Sequence, residues 1–340
     1  MDVAGVRVGQ AHDTRLASGV TAIIFKEPAV AAVDVRGGAH ATTVTDRIES
    51  HRTIERIDAV VLSGGSAFGL DAGAGVEAYL NERRRGVTLG NVRVPMVCGA
   101  ALFDLSNRKT WRRYPPYRDL GYAAASSART RFALGTAGAG FGATTVNFKG
   151  GIGSASAVSS QGYTVGAIVA VNAYGSVTVG NGPHFWAAPF EIEREFGGLG
   201  TPASLPPMAH KAKARVGENA TIALVATDAA LTKPQAKQLA IMAHDGLVRA
   251  IYPAHTTADG DVIFAAATGR RQLTDPVGDL AVLGATSANV LARAVARAVF
   301  EATALAGGPP SWQDYYTAAS YLPPTARCTR RRHAARRKPE

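Results

Sequence analysis

Four short stretches of this 340-residue chain place reactive side chains where apolar runs begin or end. Lys149 stands in FKGG, Asn172 closes the run AIVAVN, and Asp259 and Asp261 form a DGD just ahead of VIFAAAT. Asn219-Ala220-Thr221 opens the apolar run TIALVAT directly after a lysine-bearing loop. An ammonium, a carboxamide and two carboxylates at strand ends are what an amide hydrolase sets around a nucleophile. The carboxamide donates to a developing oxyanion, and the charged groups set protonation states. Taken singly, each also has a structural use open to it: Asn172 in a turn, Lys149 as surface charge, the carboxylates as capping groups of a loop.

Other motifs carry less. GGSAFG (64–69) departs from the nucleophile elbow G-x-S-x-G, because with Ser66 as nucleophile the second glycine falls on Phe68. Ser66 is therefore expected to cap the helix that follows. GTAGAGFG (135–142) is glycine-rich like a dinucleotide loop, but ATTVNFKGG follows it rather than an amphipathic helix, and no cofactor is expected. His244, Asp245, His255, Asp259 and Asp261 lack a paired ligand spacing, so no metal is expected either. Cys98 lies in VPMVCGAALF and is expected in the core; with Cys328 it makes no disulfide framework.

The elements that must position these residues are α/β in pattern. VTAIIF (20–25), AAVDVRGG (31–38) and DAVVLSGG (58–65) read as strands ended by turns. The runs 164–171 and 221–227 are continuously apolar, as strands covered on both faces are. After GGSAFG a helix carries Leu70, Val76 and Leu80. Thr232-Lys-Pro-Gln235 starts another as a capping box, with Leu239, Ala243, Leu247 and Ile251 on one face. A third is expected over 288–305, ending at Gly307-Gly308. The stretch 183–216 reads as an exposed loop.

Hydrophobic residues make up 46% of the chain and charged ones 19%, a globular balance with no shift that would divide it. Net charge is +11, and seven Lys and Arg fall within 327–338. Without interleaved aromatics that basic tail reads as disordered and solvated, so nucleic-acid binding is not expected. No apolar run is long enough to span a bilayer and the first residues lack a signal pattern, so no membrane partner and a cytoplasmic location are expected.

The ordered motifs AVDVRGGA, DAVVLSGGSAFGLDAGAGV, FKGGIGSAS, VGAIVAVNAYG, ALVATDAALTKPQAKQLAIMAHDGLVRAI and HTTADGDVIFAAATG resemble the L-aminopeptidase/D-esterase-amidase family, over about residues 3 to 305. That family includes the β-aminopeptidases and the nylon-oligomer endo-hydrolase. The resemblance implies an α-β-β-α sandwich related to the N-terminal-nucleophile hydrolases. It also implies a homo-oligomer, tetramer or larger, and a precursor that cuts itself in two. The expected organisation is one domain over 1–326, with residues 1–219 as the larger α chain and 220–326 as the smaller β chain, then the tail 327–340.

In the family the cut precedes a Ser or Thr eight residues ahead of the acidic or amide residue that follows the strand. Here that later residue is Asp228, so the nucleophile's place is Ala220 and the cut would follow Asn219. Lys149, Asn172, Asp259 and Asp261 match functional positions, with Asn172 as oxyanion donor. A hydroxyl at 220 would attack the preceding carbonyl and, after hydrolysis of the ester, leave an α-amine suited to act as general base. Alanine has no hydroxyl, so the chain is expected to stay uncut and inactive. Thr221 is the alternative nucleophile, but neighbouring side chains of a strand face opposite sides, so it should point away from the other site residues. The substrate implied is a small amide, a peptide or an oligoamide. The alternative function is a natural non-catalytic binding homologue that uses the same pocket.

Overall fold

The computed structural model describes residues 1–105, 111, 113–205, 212–213 and 219–318. The tail 327–340, Cys328 and the expected domain end at 326 lie outside the described residues. In chain order the strands are β1 (Val6–Asp13), β2 (Ser18–Gly37), β3 (Ala41–Thr43), β4 (Arg56–Ser63), β5 (Val87–Leu89), β6 (Val92–Val94) and β7 (Val97–Ala101). They continue as β8 (Gly151–Val158), β9 (Thr164–Asn172), β10 (Ala220–Ala229) and β11 (Gly260–Arg271). The helices are α1 (Ala72–Glu82), α2 (Tyr117–Ser126), α3 (Lys233–Ala250), α4 (Pro276–Phe300) and α5 (Trp312–Ala318).

Hydrogen bonding runs in the order β3-β7-β4-β2-β11-β10-β9-β8, with β1 also on β2 and β5-β6 as a separate hairpin. Two layers arise from one pairing path because β2 is shared. Its first half pairs β1 and β4, and its second half pairs β11 from Val30 to Gly37. The two strands expected at 20–25 and 31–38 are thus one, with a register shift between Ile24 and Ala29 around Pro28. Proline has no N–H to give the ladder, so the bulge falls there.

Three apolar cores follow. Val20, Ala22 and Val61 pack against Val76, Leu80 and Tyr117 of α1 and α2. Ile23, Phe25 and Leu62 meet Ile168, Ile222 and Phe264 between the layers. Val169, Val225 and Ile263 pack against Leu239, Leu247, Leu291 and Val295 of α3 and α4. This is an α-β-β-α sandwich. Burial on both faces explains why the sequences of β9 and β10 read as unbroken apolar runs.

Thr232 and Gln235 form both bonds of the capping box at α3. The α4 helix begins well before residue 288, because Asp275 caps it by accepting from Val277 N and Pro276 occupies its first turn. Gly284 does not break it: a Cβ there would lie 2.3 Å from Met242 Sδ, so α3 and α4 cross at close range. The helix stops at Phe300 rather than 305, where Thr136 draws the chain away by bonding both N and O of Thr303. Ser66 is no helix cap. It sits at φ 54 inside a 3-10 turn, and α1 begins after Asp71. The segment from 183 is not simply an exposed loop either. Phe185 and Phe196 are buried, and Phe185 packs on Phe300 and Trp312.

Candidate active site

Ala220 is the first residue of β10 and lies opposite Asn172, the last residue of β9. The pleat sends Ala220, Ile222 and Leu224 into the core between the layers, while Ala223 and Val225 face α3 and α4. Thr221 shares that second face, opposite to Ala220. Its Oγ1 is buried with no hydrogen-bond partner among the described residues. On the other side Asn219 bridges Asp259, and Ile222 pairs with Val262 of β11.

Asn172 is buried, with its amide held at both ends. Its Oδ1 accepts from Thr144 N at 3.0 Å and Lys213 Nζ at 3.3 Å, and its Nδ2 donates to Phe103 O at 2.9 Å. Lys149 is not surface charge. It is 1% exposed, and its Nζ donates to the carbonyls of Gly140, Ala143 and Gly150 at 2.8–2.9 Å. Burying an ammonium is costly unless its protons are taken up, and three carbonyls do so here. GTAGAGFG supplies one of these carbonyls, that of Gly140, and Ala143, just past its end, supplies a second. A Cβ on Gly140 would meet the Gly151 backbone at 2.3 Å.

The carboxylates start β11. Asp259 Oδ1 accepts from Tyr174 N, and its Oδ2 accepts from Thr256 N and Oγ1. Burial and then the negative charge of Asp261 push the Asp259 carboxyl above its usual range. Asp261 Oδ1 accepts from Thr221 N at 2.9 Å, and its Oδ2 accepts from His255 N and Nδ1 at 3.2 and 2.8 Å. The Thr221 backbone amide, not its hydroxyl, meets this carboxylate, since parallel pairing in register runs Thr221 alongside Asp261. The ring of His255 lies 4.8 Å from that of His244, which sequence spacing had kept apart.

A cavity of about 360 Å³ opens at the end of β9, walled by Asn172, Lys149, Thr144, Lys213, Phe103 and Asp104. Ala220, Asp259 and Asp261 are not among its described lining residues. Asp104 is a buried carboxylate that sequence reasoning missed, one residue beyond the run assigned to the core around Cys98. Its Oδ1 accepts from Ser18 Oγ and Gly65 N, so the GGSAFG turn serves to fix an acid on the cavity wall. The signal was a single carboxylate closing an apolar strand. Cys98 is buried, and burial pushes its thiol up to about 12, which makes it inert at neutral pH.

His244 yields a measurable pH dependence. Burial, then the neighbouring His255, lowers its pKa from the ordinary 6.5 to about 4. The neutral ring meets Asp34 O through Nε2 at 3.2 Å. Because the folded pKa is depressed, the contribution is fully present above pH 6.5 and is lost as pH falls toward 4, where the unfolded chain binds a proton that the native one does not. The loss amounts to about 3 kcal/mol. Urea midpoints at pH 7 and pH 4 should fall further apart in the parent than in His244→Gln; equal differences would contradict this origin.

Two β layers flanked by helices thus set a carboxamide opposite the first residue of an inner strand, with Asp259 bridged to the residue before it and Asp261 bonded to the amide after it. Residues 1–309 match Peptidase family S58, and the chain belongs to that family. It is 39% identical to an uncharacterized aminopeptidase of Mycobacterium tuberculosis, over 94% of this chain and 98% of the relative. It is 29% identical to the 6-aminohexanoate-oligomer endohydrolase of Kocuria sp., over 87% of this chain and 84% of the relative. The solved L-aminopeptidase D-Ala-esterase/amidase of Ochrobactrum anthropi, a variant among Ntn hydrolase folds, superposes with a TM-score of 0.66. At 22% identity, over 92% of this chain and 88% of that one, this similarity bears on the fold alone.

Proposed function

We propose that this chain is the uncut, inactive form of a self-processing amide hydrolase, in which Ala220 stands where the nucleophile's hydroxyl belongs and the cut would follow Asn219. The observation that carries the reading is the register: Ala220 lies directly opposite Asn172, and Asn172 lines a cavity able to admit a small amide or an oligoamide end. A hydroxyl on that Cβ would lie on the Asn172 side of β10, whereas the Thr221 hydroxyl lies on the other. The catalytic roles fall to Asn172 as oxyanion donor and to Asp259 and Asp261 as the carboxylates that orient the start of the strand. Lys149 holds the glycine turn that walls the cavity. Intact mass of the purified protein tests this: one full-length chain is expected. A new amino terminus at Thr221 would transfer the nucleophile's role to that residue, and one at Ala220 would show cleavage without a hydroxyl.

A further inference from the structure

Two histidines stand behind the carboxylate that holds the start of β10. His255 gives Asp261 Oδ2 both its backbone N–H and its ring Nδ1–H, at 3.2 and 2.8 Å. Asp261 Oδ1 in turn takes Thr221 N at 2.9 Å, one peptide beyond position 220. Among the described residues, His255 Nε2 and His244 Nδ1 have no hydrogen-bond partner, so the His255 side chain spends its one bond on Asp261. His244 is fully buried from α3 and packs its ring edge-on against His255, 4.8 Å between centroids. The same His244 is anchored through Nε2 to Asp34 of β2, whose carboxylate also meets Arg36 and Lys237. His255 itself is held at φ 57, a left-handed conformation that His and Asn tolerate better than most side chains.

We propose that His255 is a positioning residue for the amide-cleaving site: it locks the Asp261 carboxylate onto the Thr221 amide and so fixes where the residue at 220 points, with His244 as its backstop. This rests on the proposed function only for its catalytic consequence. With the ring donor Asp261 accepts three N–H bonds; without it Oδ2 keeps only the longer 3.2 Å bond from the residue 255 backbone, and the carboxylate is freer to turn away from the strand. Loss of this lock leaves the sheet intact and lets the first residues of β10 shift, and small misplacements at a reacting centre are costly in rate.

The test has two arms. His255→Gly removes the ring without penalty at positive φ, His255→Asn keeps a donor near the place of Nδ1, and His255→Gln keeps bulk but moves the donor. In the Ala220 protein, hydrogen exchange of the Thr221 amide should quicken about tenfold or more in the Gly and Gln variants. It should stay near the parent rate in Asn, with Leu224 and Val225 unchanged in all. With threonine at 220, self-cleavage and kcat should fall about 10- to 100-fold in Gly and Gln at constant KM, and recover in Asn. Unchanged Thr221 exchange in both Gly and Gln overturns the proposal, as does cleavage at the parent rate in those variants. If the Ala220→Thr chain does not cut at all, the self-processing reading fails, while the exchange arm still decides the role of His255.

Discussion

Ala220→Thr is expected to turn a single chain into two. The new hydroxyl attacks the carbonyl of Asn219 and forms an ester as the C–N bond breaks, and water then releases a larger chain ending at Asn219. The smaller chain begins with threonine, whose α-amine has an unperturbed pKa of about 7.7–8.0 and can deprotonate the same hydroxyl for attack on substrate amides. Cleavage and amide hydrolysis should therefore appear together. The scaffold needs little rearrangement, because position 220 is already the start of β10, opposite Asn172 and bracketed by Asp259 and Asp261. The two products stay joined by packing, since β10 is central in the sheet and pairs with β9 and β11. Mass spectrometry after days at neutral pH decides the matter. A folded Ala220→Thr protein that stays whole would leave the binding homologue as the better reading. Thr221→Ala in the restored protein should leave the cut in place apart from packing losses, because Thr221 faces α3 and α4.

Adding Asn172→Ala to the restored protein should lower kcat by about 10²–10³, the usual effect of removing one oxyanion-hole donor. The substitution also deletes the acceptor for Thr144 N and Lys213 Nζ and the donor to Phe103 O, so some of any loss is local loosening of the cavity wall. A thermal midpoint separates the two effects: catalytic loss with a small shift identifies the donor role. A kcat within a few-fold of the restored protein would remove Asn172 from the reaction and leave it a wall residue.

Much of this could be read from residue order. The apolar runs at 164–171 and 221–227 announced inner strands because burial on both faces leaves no room for alternation. Thr232 and Gln235 announced α3 because a capping box is a local bond pair. The proposed nucleophile position, Ala220, came from the resemblance, and in the sheet that residue lies opposite Asn172.

What sequence could not supply were the contacts made across the fold. Lys149 read equally well as surface charge until the carbonyls of Gly140, Ala143 and Gly150 were brought around it. The C-terminal end of α4 was set by Thr136, far away in the chain, through its bonds to Thr303. Asp104 took on meaning only once Ser18 and Gly65 met it at the cavity wall. His244 and His255 looked unrelated, because their separation fits no ligand spacing on one helix. The chain leaves α3 and turns back through Pro253 to enter β11, and that return sets one ring against the other. Sequence determined most of the strands, the inner position of β10 and the alanine at its first position, since those depend on local pattern and on one side chain. The tertiary structure decided which polar groups are buried and what each one holds, since a buried charge is fixed by partners that only the folded chain brings within reach.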